Sequence, residues 1–301
     1  MKKILHIKQL LTILFATSIL FACTKQIDTT SMPQNLKLDA TSFVNAGLMH
    51  NTNLDLIFKE IKSKKTNAIL KSLDNATFSA GFIDLAKSNA LNLARLTSVV
   101  QIENDSNTPR YLKIILENNI NSVFQDNPLT QHNNLYTDNI SNQFTTKQLV
   151  YINELNEIIS DNDNSLQSLQ ARITSMETKI YQSSLNQTQQ AALYIITNTA
   201  KSSLVYWNLN IEAWTGLVNE TSLTSSPITL ESTNTFTIKS NSSGFSWKKV
   251  AKSDVAGAVA GVAAWGVVAL AGGPFTLAVC GASVGSWAAG CSAYEAIMQL
   301  W

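Results

Sequence analysis

The 301-residue chain has few of the residue types that catalyse reactions or hold metals. It contains three histidines and three cysteines, and one of each lies in the first 23 residues. No H-E-x-x-H sequence, phosphate-binding loop or metal-spaced cysteine pair is present. These absences exclude the common zinc and nucleotide motifs and a disulfide framework. We therefore expect a protein that is not an enzyme and has neither a metal nor a cofactor.

The N-terminal segment has the layout of a cleaved secretory signal. Lys2, Lys3 and Lys8 form a positive region before the apolar run Leu10–Ala22. That run is too short to span a hydrocarbon layer of about 30 Å. Removing residues 1–22 leaves 19 basic residues against 21 acidic ones, a net charge of about −2. Such a weak charge predicts no nucleic-acid partner.

The signal ends in Leu20-Phe21-Ala22-Cys23, which resembles the lipobox of bacterial lipoproteins. The resemblance implies cleavage before Cys23 and a covalent lipid, such as palmitate, on Cys23. Thr24 in place of aspartate favours the outer membrane by analogy with lipoprotein sorting. We expect a signal peptide at 1–22, a tether at 23–38 and anchoring in the envelope of a Gram-negative bacterium. The alternative is an ordinary signal peptide with a chance cysteine.

Residues 39–219 carry the apolar spacing of amphipathic helices. In the first apolar seam successive residues are 4, 3, 4, 3 and 4 positions apart, and Asp39 or Thr41 can cap the helix. The seam consists of Phe43, Gly47, His50, Leu54, Ile57 and Ile61. Further stripes predict helices around 78–96, after Pro109, over 149–159, over 166–180 with Asn164 as cap, and over 188–217. This pattern predicts an all-α helical bundle. Thirteen of the 23 residues over 221–243 are serine or threonine, which indicates a linker at 220–245.

Two predicted helices carry polar and aromatic residues on faces that are expected to be buried. His50, followed by Asn51, lies on the first apolar seam. In the helix predicted over 188–217, one face carries Ser203, Trp207, Asn210 and Trp214, which are 4, 3 and 4 positions apart. A buried imidazole needs hydrogen-bond partners, so we expect a core histidine satisfied across this face. The alternative is the wall of a small polar pocket.

Three short segments resemble a group of uncharacterised lipoproteins of Bacteroidetes-type bacteria. They are GLMHN…LDLI over 47–57, AKSSLVYWNLNIEAW over 200–214 and KSDVAGAVAG over 252–261. The resemblance implies the order lipobox, helical domain and Gly/Ala-rich tail, and it implies no chemistry.

Two apparent motifs are accidental. Gly281–Gly285 fits G-x-S-x-G, but no histidine follows His132 to complete a triad. The acids from Asp161 onward begin like a calcium loop, yet Leu166 and Arg172 stand where glycine and glutamate are required. Neither motif argues for an enzyme.

The tail, 246–301, is the most apolar part of the chain, with no charged residue from Val255 to Tyr294. Gly272, Gly273 and Pro274 divide it into two predicted helices, and small residues four apart allow close helix packing; the glycines concerned are Gly257, Gly261, Gly281 and Gly285. The sequence thus predicts a Gly-rich apolar helical hairpin. Seventeen uncharged residues, 255–271, reach about 26 Å as a helix, slightly short of a span.

Three functions fit this tail. In the preferred one the hairpin associates with or inserts into a membrane, and its composition is similar to that of pore-forming bacteriocin peptides. In the second it packs on the bundle or in a homo-oligomer, within a non-enzymatic binding or scaffold lipoprotein. In the third, least favoured, the bundle is an enzyme with a pocket at His50. The expected partners are membrane lipid and a second copy of the chain.

The two tail cysteines should be free thiols. Cys280 and Cys291 are 11 residues apart, about 16 Å along a continuous helix. A disulfide needs Cα atoms within about 7 Å. We expect both thiols to be shielded by lipid or by the partner helix.

Overall fold

The computed structural model describes residues 38–69, 103, 110, 113–114, 143–161, 165–219, 245–271 and 274–300. They all belong to one compact unit, Lys37–Trp301. The signal peptide, Cys23, nearly all of the tether, the helix expected around 78–96, His132 and the linker as far as residue 244 lie outside the described residues. The helix expected after Pro109 is described only at residues 110, 113 and 114, which are helical.

The described part of the chain is all-α, as predicted, and it contains no strand. A short 3-10 turn, Ala40–Phe43, leads into α1, Val44–Ile69. Three helices follow, α2 over Thr146–Ser160, α3 over Leu166–Gln182 and α4 over Gln187–Asn219. The tail forms α5, Trp247–Ala271, and α6, Pro274–Leu300. Pro274 opens the second tail helix, as predicted.

Asp39 begins the first helical segment, and the predicted apolar seam enters the core. The Asp39 carboxylate accepts hydrogen bonds from the Thr41 amide at 2.9 Å and the Thr41 hydroxyl at 2.6 Å. The hydroxyl contact is the main cause of a lowered Asp39 pKa. All six seam residues from Phe43 to Ile61 are buried. Capping and period together therefore fix where α1 starts and which face it buries.

Residues next to the first turn cap the N-termini of α2 and α3. Thr145 and Gln148 form a reciprocal capping box at the start of α2. The predicted cap of α3, Asn164, is wrong by one residue. Ser165 is the N-cap, because its hydroxyl accepts from the Ser168 amide at 3.2 Å. The predicted stripe of α3 is buried against the core; its members are Leu166, Leu169, Ile173, Met176 and Ile180.

The tail hairpin is packed within the same unit as the helices before it. Helix α6 lies against both α5 and α1, and α5 also packs along α4. Buried residues of all six helices join one hydrophobic cluster. Within the described residues, no helix combines the length and the hydropathy that a membrane crossing requires.

The tail glycines lie at helix–helix contacts. A Cβ atom on Gly257 would lie 2.9 Å from the Cα of Ala288, and one on Gly261 would lie 3.3 Å from Val284. These two glycines therefore bring α5 and α6 together. Gly285 instead faces α1, where an added Cβ would overlap the carbonyl oxygen of Ala46. Close backbone approach therefore joins α6 to both of its main neighbours.

Two glycines on the α1-facing side of α6 provide a matched test of this packing. We predict that Gly285→Ala lowers the free energy of unfolding by several kcal/mol, because α1 and α6 must separate to admit the methyl group. At Gly281 an added Cβ meets Ala46 Cβ at 3.5 Å, an ordinary contact. Gly281→Ala should be neutral or stabilising by up to about 1 kcal/mol through helix propensity. Urea unfolding of both variants measures the difference, and equal effects would contradict the packing described.

Candidate functional site

The fully buried carboxyl group of Asp254 is the centre of the main polar cluster. Asp254 lies on α5 in register with Val250, Gly257 and Gly261, the face that enters the bundle, and it is 0% exposed. An isolated charge inside a protein is very unfavourable, so buried carboxylates are normally paired and hydrogen-bonded. The partners of Asp254 therefore define what this site can do.

Side chains from two other helices converge on the Asp254 carboxylate. His50 of α1 places its Nε2 atom 2.6 Å from Oδ1. From α4, the Ser203 hydroxyl and the Trp207 indole both donate to Oδ2, the indole at 3.0 Å. His50, Ser203 and Trp207 are all fully buried. One carboxylate thus connects the tail hairpin to α1 and α4 at once.

The second ring nitrogen of His50 also faces an oxygen. Its Nδ1 atom lies 2.8 Å from Oδ1 of the half-buried Asn51. Both ring nitrogens of His50 therefore have a hydrogen-bonding partner. We name the group of His50, Asn51, Ser203, Trp207 and Asp254 the Asp254 network.

Aromatic rings close one side of the Asp254 network. The Trp207 ring lies 5.1 Å from Trp214 and 5.4 Å from Tyr206, centroid to centroid. Trp214 donates to the Tyr206 hydroxyl at 3.3 Å. Burial raises the pKa of Tyr206, so its phenol keeps its proton. Asn210 stands apart, since its amide donates to the backbone oxygen of Tyr206 within α4.

The sequence-predicted residues therefore divide into two groups. His50, Asn51, Ser203 and Trp207 come together, although Ser203 and Trp207 meet His50 only through Asp254. Trp214 and Asn210 contribute packing and a local hydrogen bond. The network does not line an open pocket, because four of its five members are fully buried.

The geometry of the network differs from that of a serine nucleophile. In a catalytic triad the imidazole lies between the hydroxyl and the carboxylate, so that it can take the hydroxyl proton. Here Asp254 lies between Ser203 and His50, and the hydroxyl donates directly to the carboxylate. Because these side chains are closed to solvent, no substrate can reach them in this conformation.

A second polar contact reinforces the same interface. The Asn53 amide of α1 donates to the Ser286 hydroxyl of α6 at 2.7 Å and to the Met49 carbonyl at 2.7 Å. Within the hairpin, the Ser253 hydroxyl donates to the Cys291 carbonyl at 3.2 Å. The described hairpin is thus joined by hydrogen bonds both to α1 and across its own two helices.

A buried acid and a surface groove lie elsewhere in the described part of the chain. Glu177 is buried and binds Thr197 at 2.7 Å and Lys201 at 2.8 Å, which satisfies its carboxylate. A groove of about 630 Å³ between α2 and α3 is lined by an ion pair of Lys179 with Glu154 and by other polar residues. No group of three or more histidine, cysteine or acidic side chains that could hold a metal occurs in the described part of the chain.

Cys280 and Cys291 are both free and buried on the continuous helix α6, which confirms the prediction of two free thiols. Burial raises the pKa of both thiols, so each keeps its proton near neutral pH.

Comparison of the chain with known protein families, with curated proteins and with solved structures found no match.

The interaction between His50 and Asp254 can be measured by a double-mutant cycle. We predict that His50→Ala and Asp254→Ala each lower the free energy of unfolding by about 1–3 kcal/mol, because each leaves a buried hydrogen-bonding group without its partner. The double variant should be much less destabilised than the sum of the two. Asn210→Ala, which removes only a local hydrogen bond, is the control and should cost about 1 kcal/mol. Additive single effects would show that the two side chains do not interact.

Proposed function

We propose that the mature chain is a non-enzymatic binding or scaffold protein of the cell envelope, anchored by lipid on Cys23, that folds its Gly/Ala-rich hairpin into its own bundle. The observation that carries this proposal is the fully buried carboxyl group of Asp254 in the hairpin, which is hydrogen-bonded to side chains of α1 and α4. A hairpin held in this way belongs to the interior of the folded protein.

The glycine contacts support the same proposal. Gly257 and Gly261 are in close contact with α6, and Gly285 is in close contact with α1. Because these close contacts are already made within one chain, they are not free to join a second copy. The geometry therefore favours intrachain packing over the homo-oligomer as the role of these glycines.

The Asp254 network also supports a non-enzymatic role. Its serine, histidine and aspartate are in the wrong order for nucleophilic catalysis, and they are closed to solvent. Every hydrogen bond in the Asp254 network is consistent with a role in stabilising the fold. The network joins three helices, and a fully hydrogen-bonded buried polar network of this kind can specify one arrangement of the core.

Membrane insertion of the hairpin is the second candidate. The uncharged stretch from Val255 to Tyr294 favours it, and so does the lipid anchor expected at Cys23. Insertion would require the hairpin to leave α1 and α4 and would separate Asp254 from His50. The packed state therefore opposes insertion, and the two candidates predict different behaviour with vesicles.

The anchor is tested by metabolic labelling with a radioactive or clickable fatty acid in a Gram-negative host. We predict that the unsubstituted chain is labelled and fractionates with membranes, because Cys23 ends a lipobox. The Cys23→Ser variant should be unlabelled, and the Cys280→Ser variant, which removes a buried thiol, is the matched control and should be labelled normally. Normal labelling of the Cys23→Ser variant would contradict the anchor.

The hairpin is tested with unlipidated protein, residues 23–301 carrying Cys23→Ser. We predict that it neither floats with phosphatidylethanolamine–phosphatidylglycerol vesicles nor releases an entrapped dye, because the apolar faces of the hairpin are buried in the bundle. The lipidated full-length protein should float with the same vesicles. Dye release by the unlipidated protein, with its helical circular dichroism unchanged, would contradict the proposal and support membrane insertion.

A further inference from the structure

We propose that the hydrogen bonds of Asp254 hold the hairpin α5–α6 in the bundle. When these bonds are weakened, the hairpin separates from the bundle as a unit while the remaining helices stay folded. The proposal concerns a conformational device and does not depend on the lipid anchor. It would control when the apolar faces of the hairpin become accessible.

Polar side chains link the hairpin to α1, to α4 and to the end of α2. Asp254 receives hydrogen bonds from both α1 and α4. Ser286 accepts one from Asn53 of α1, and Lys248 donates to the backbone oxygen of Asp161 after α2. Of these links, that of Asp254 joins two fully buried ionisable side chains. It is therefore the link whose loss changes the docking equilibrium most.

The other contacts of the hairpin are made largely by small residues. Gly257, Ala258, Gly285 and Ala288 lie on its buried faces. Small side chains each bury little apolar surface, and their packing is effective only while the backbones remain in close contact. Separation of the helices by a fraction of an ångström therefore weakens many contacts together. Such an interface opens cooperatively when its strongest polar link is removed.

The remaining helices are connected without the hairpin. The Asn198 amide of α4 donates to the backbone oxygen of Ala40, before α1, at 2.8 Å. Lys201 of α4 pairs with Glu177 of α3 at 2.8 Å. The Gln148 amide of α2 reaches the backbone of Gln189 on α4 at 3.3 Å. Because α4 holds α1, α2 and α3 directly, opening of the hairpin need not unfold the rest.

Two native thiols report on this opening. Cys280 and Cys291 are buried on α6, so a thiol reagent reaches them only after the hairpin has moved or the protein has unfolded. These two routes differ in the surface that they expose, and the dependence of labelling on urea measures that surface. In residues 23–301 with Cys23→Ser they are the only cysteines.

The experiment measures thiol labelling of this protein at several low urea concentrations, beside its global unfolding curve. The expected result is labelling of both cysteines with a clearly weaker urea dependence than global unfolding shows. Asp254→Asn, which replaces the carboxyl group by an amide of similar size, should raise both labelling rates about a hundredfold at zero urea. Circular dichroism should retain most of its helical signal.

Glu177→Gln is the matched control, a buried acid whose hydrogen-bonding partners both lie on α4. It should raise labelling only as far as it lowers global stability. If Asp254→Asn does not fold, Ser203→Ala replaces it, with a smaller increase expected. Labelling of the unsubstituted protein with the full urea dependence of global unfolding would overturn the proposal. Equal increases for Asp254→Asn and Glu177→Gln, after correction for global stability, would overturn it as well.

Discussion

Burial of one carboxylate is the constraint on which this structure depends. The carboxyl group of Asp254 lies inside the protein, so it is tolerated only where His50, Ser203 and Trp207 reach it together. Those residues come from two helices that are distant from Asp254 in sequence. Satisfying the carboxylate therefore fixes the rotation and height of α5 relative to α1 and α4.

The glycines of the tail act on the same interface. The Asp254 network can form only if the backbones of α1, α5 and α6 approach closely, and Gly257 and Gly285 allow that approach. The Asp254 network requires the close backbone contacts, and those contacts in turn require the network. This mutual dependence explains how a segment of low charge and high glycine content can be a fixed part of a folded protein.

Much of the fold follows from local sequence patterns. The seam from Phe43 to Ile61, the stripes of α2 and α3 and the helix start at Pro274 were all predictable from period and capping. The cap of α3 was misplaced by one residue because Asn164 and Ser165 are both good caps, and only the backbone geometry distinguishes them. The two free thiols followed from the length of α6.

The site was predictable only in part. His50 and the face of Ser203 and Trp207 were visible as polar residues at helical spacing. Asp254 was not, although it shares a face with Gly257 and Gly261, because the last charge before an apolar run resembles an ordinary helix-end residue. Which side chains meet depends on contacts between residues that lie 47, 51 and 204 positions apart, which no local pattern contains.

The most direct test of hairpin docking is an engineered disulfide between α1 and α6. A Cβ atom on Gly281 would lie 3.5 Å from the Cβ of Ala46, a separation that suits a disulfide. In a chain whose native cysteines are replaced by alanine, Ala46→Cys with Gly281→Cys should form an intramolecular bridge under mild oxidation of the folded protein. The control pair, Leu48→Cys with Gly281→Cys, uses an exposed position of α1 and should remain reduced. Failure of the first pair to bridge, or equal bridging by both pairs, would contradict a hairpin packed within the bundle.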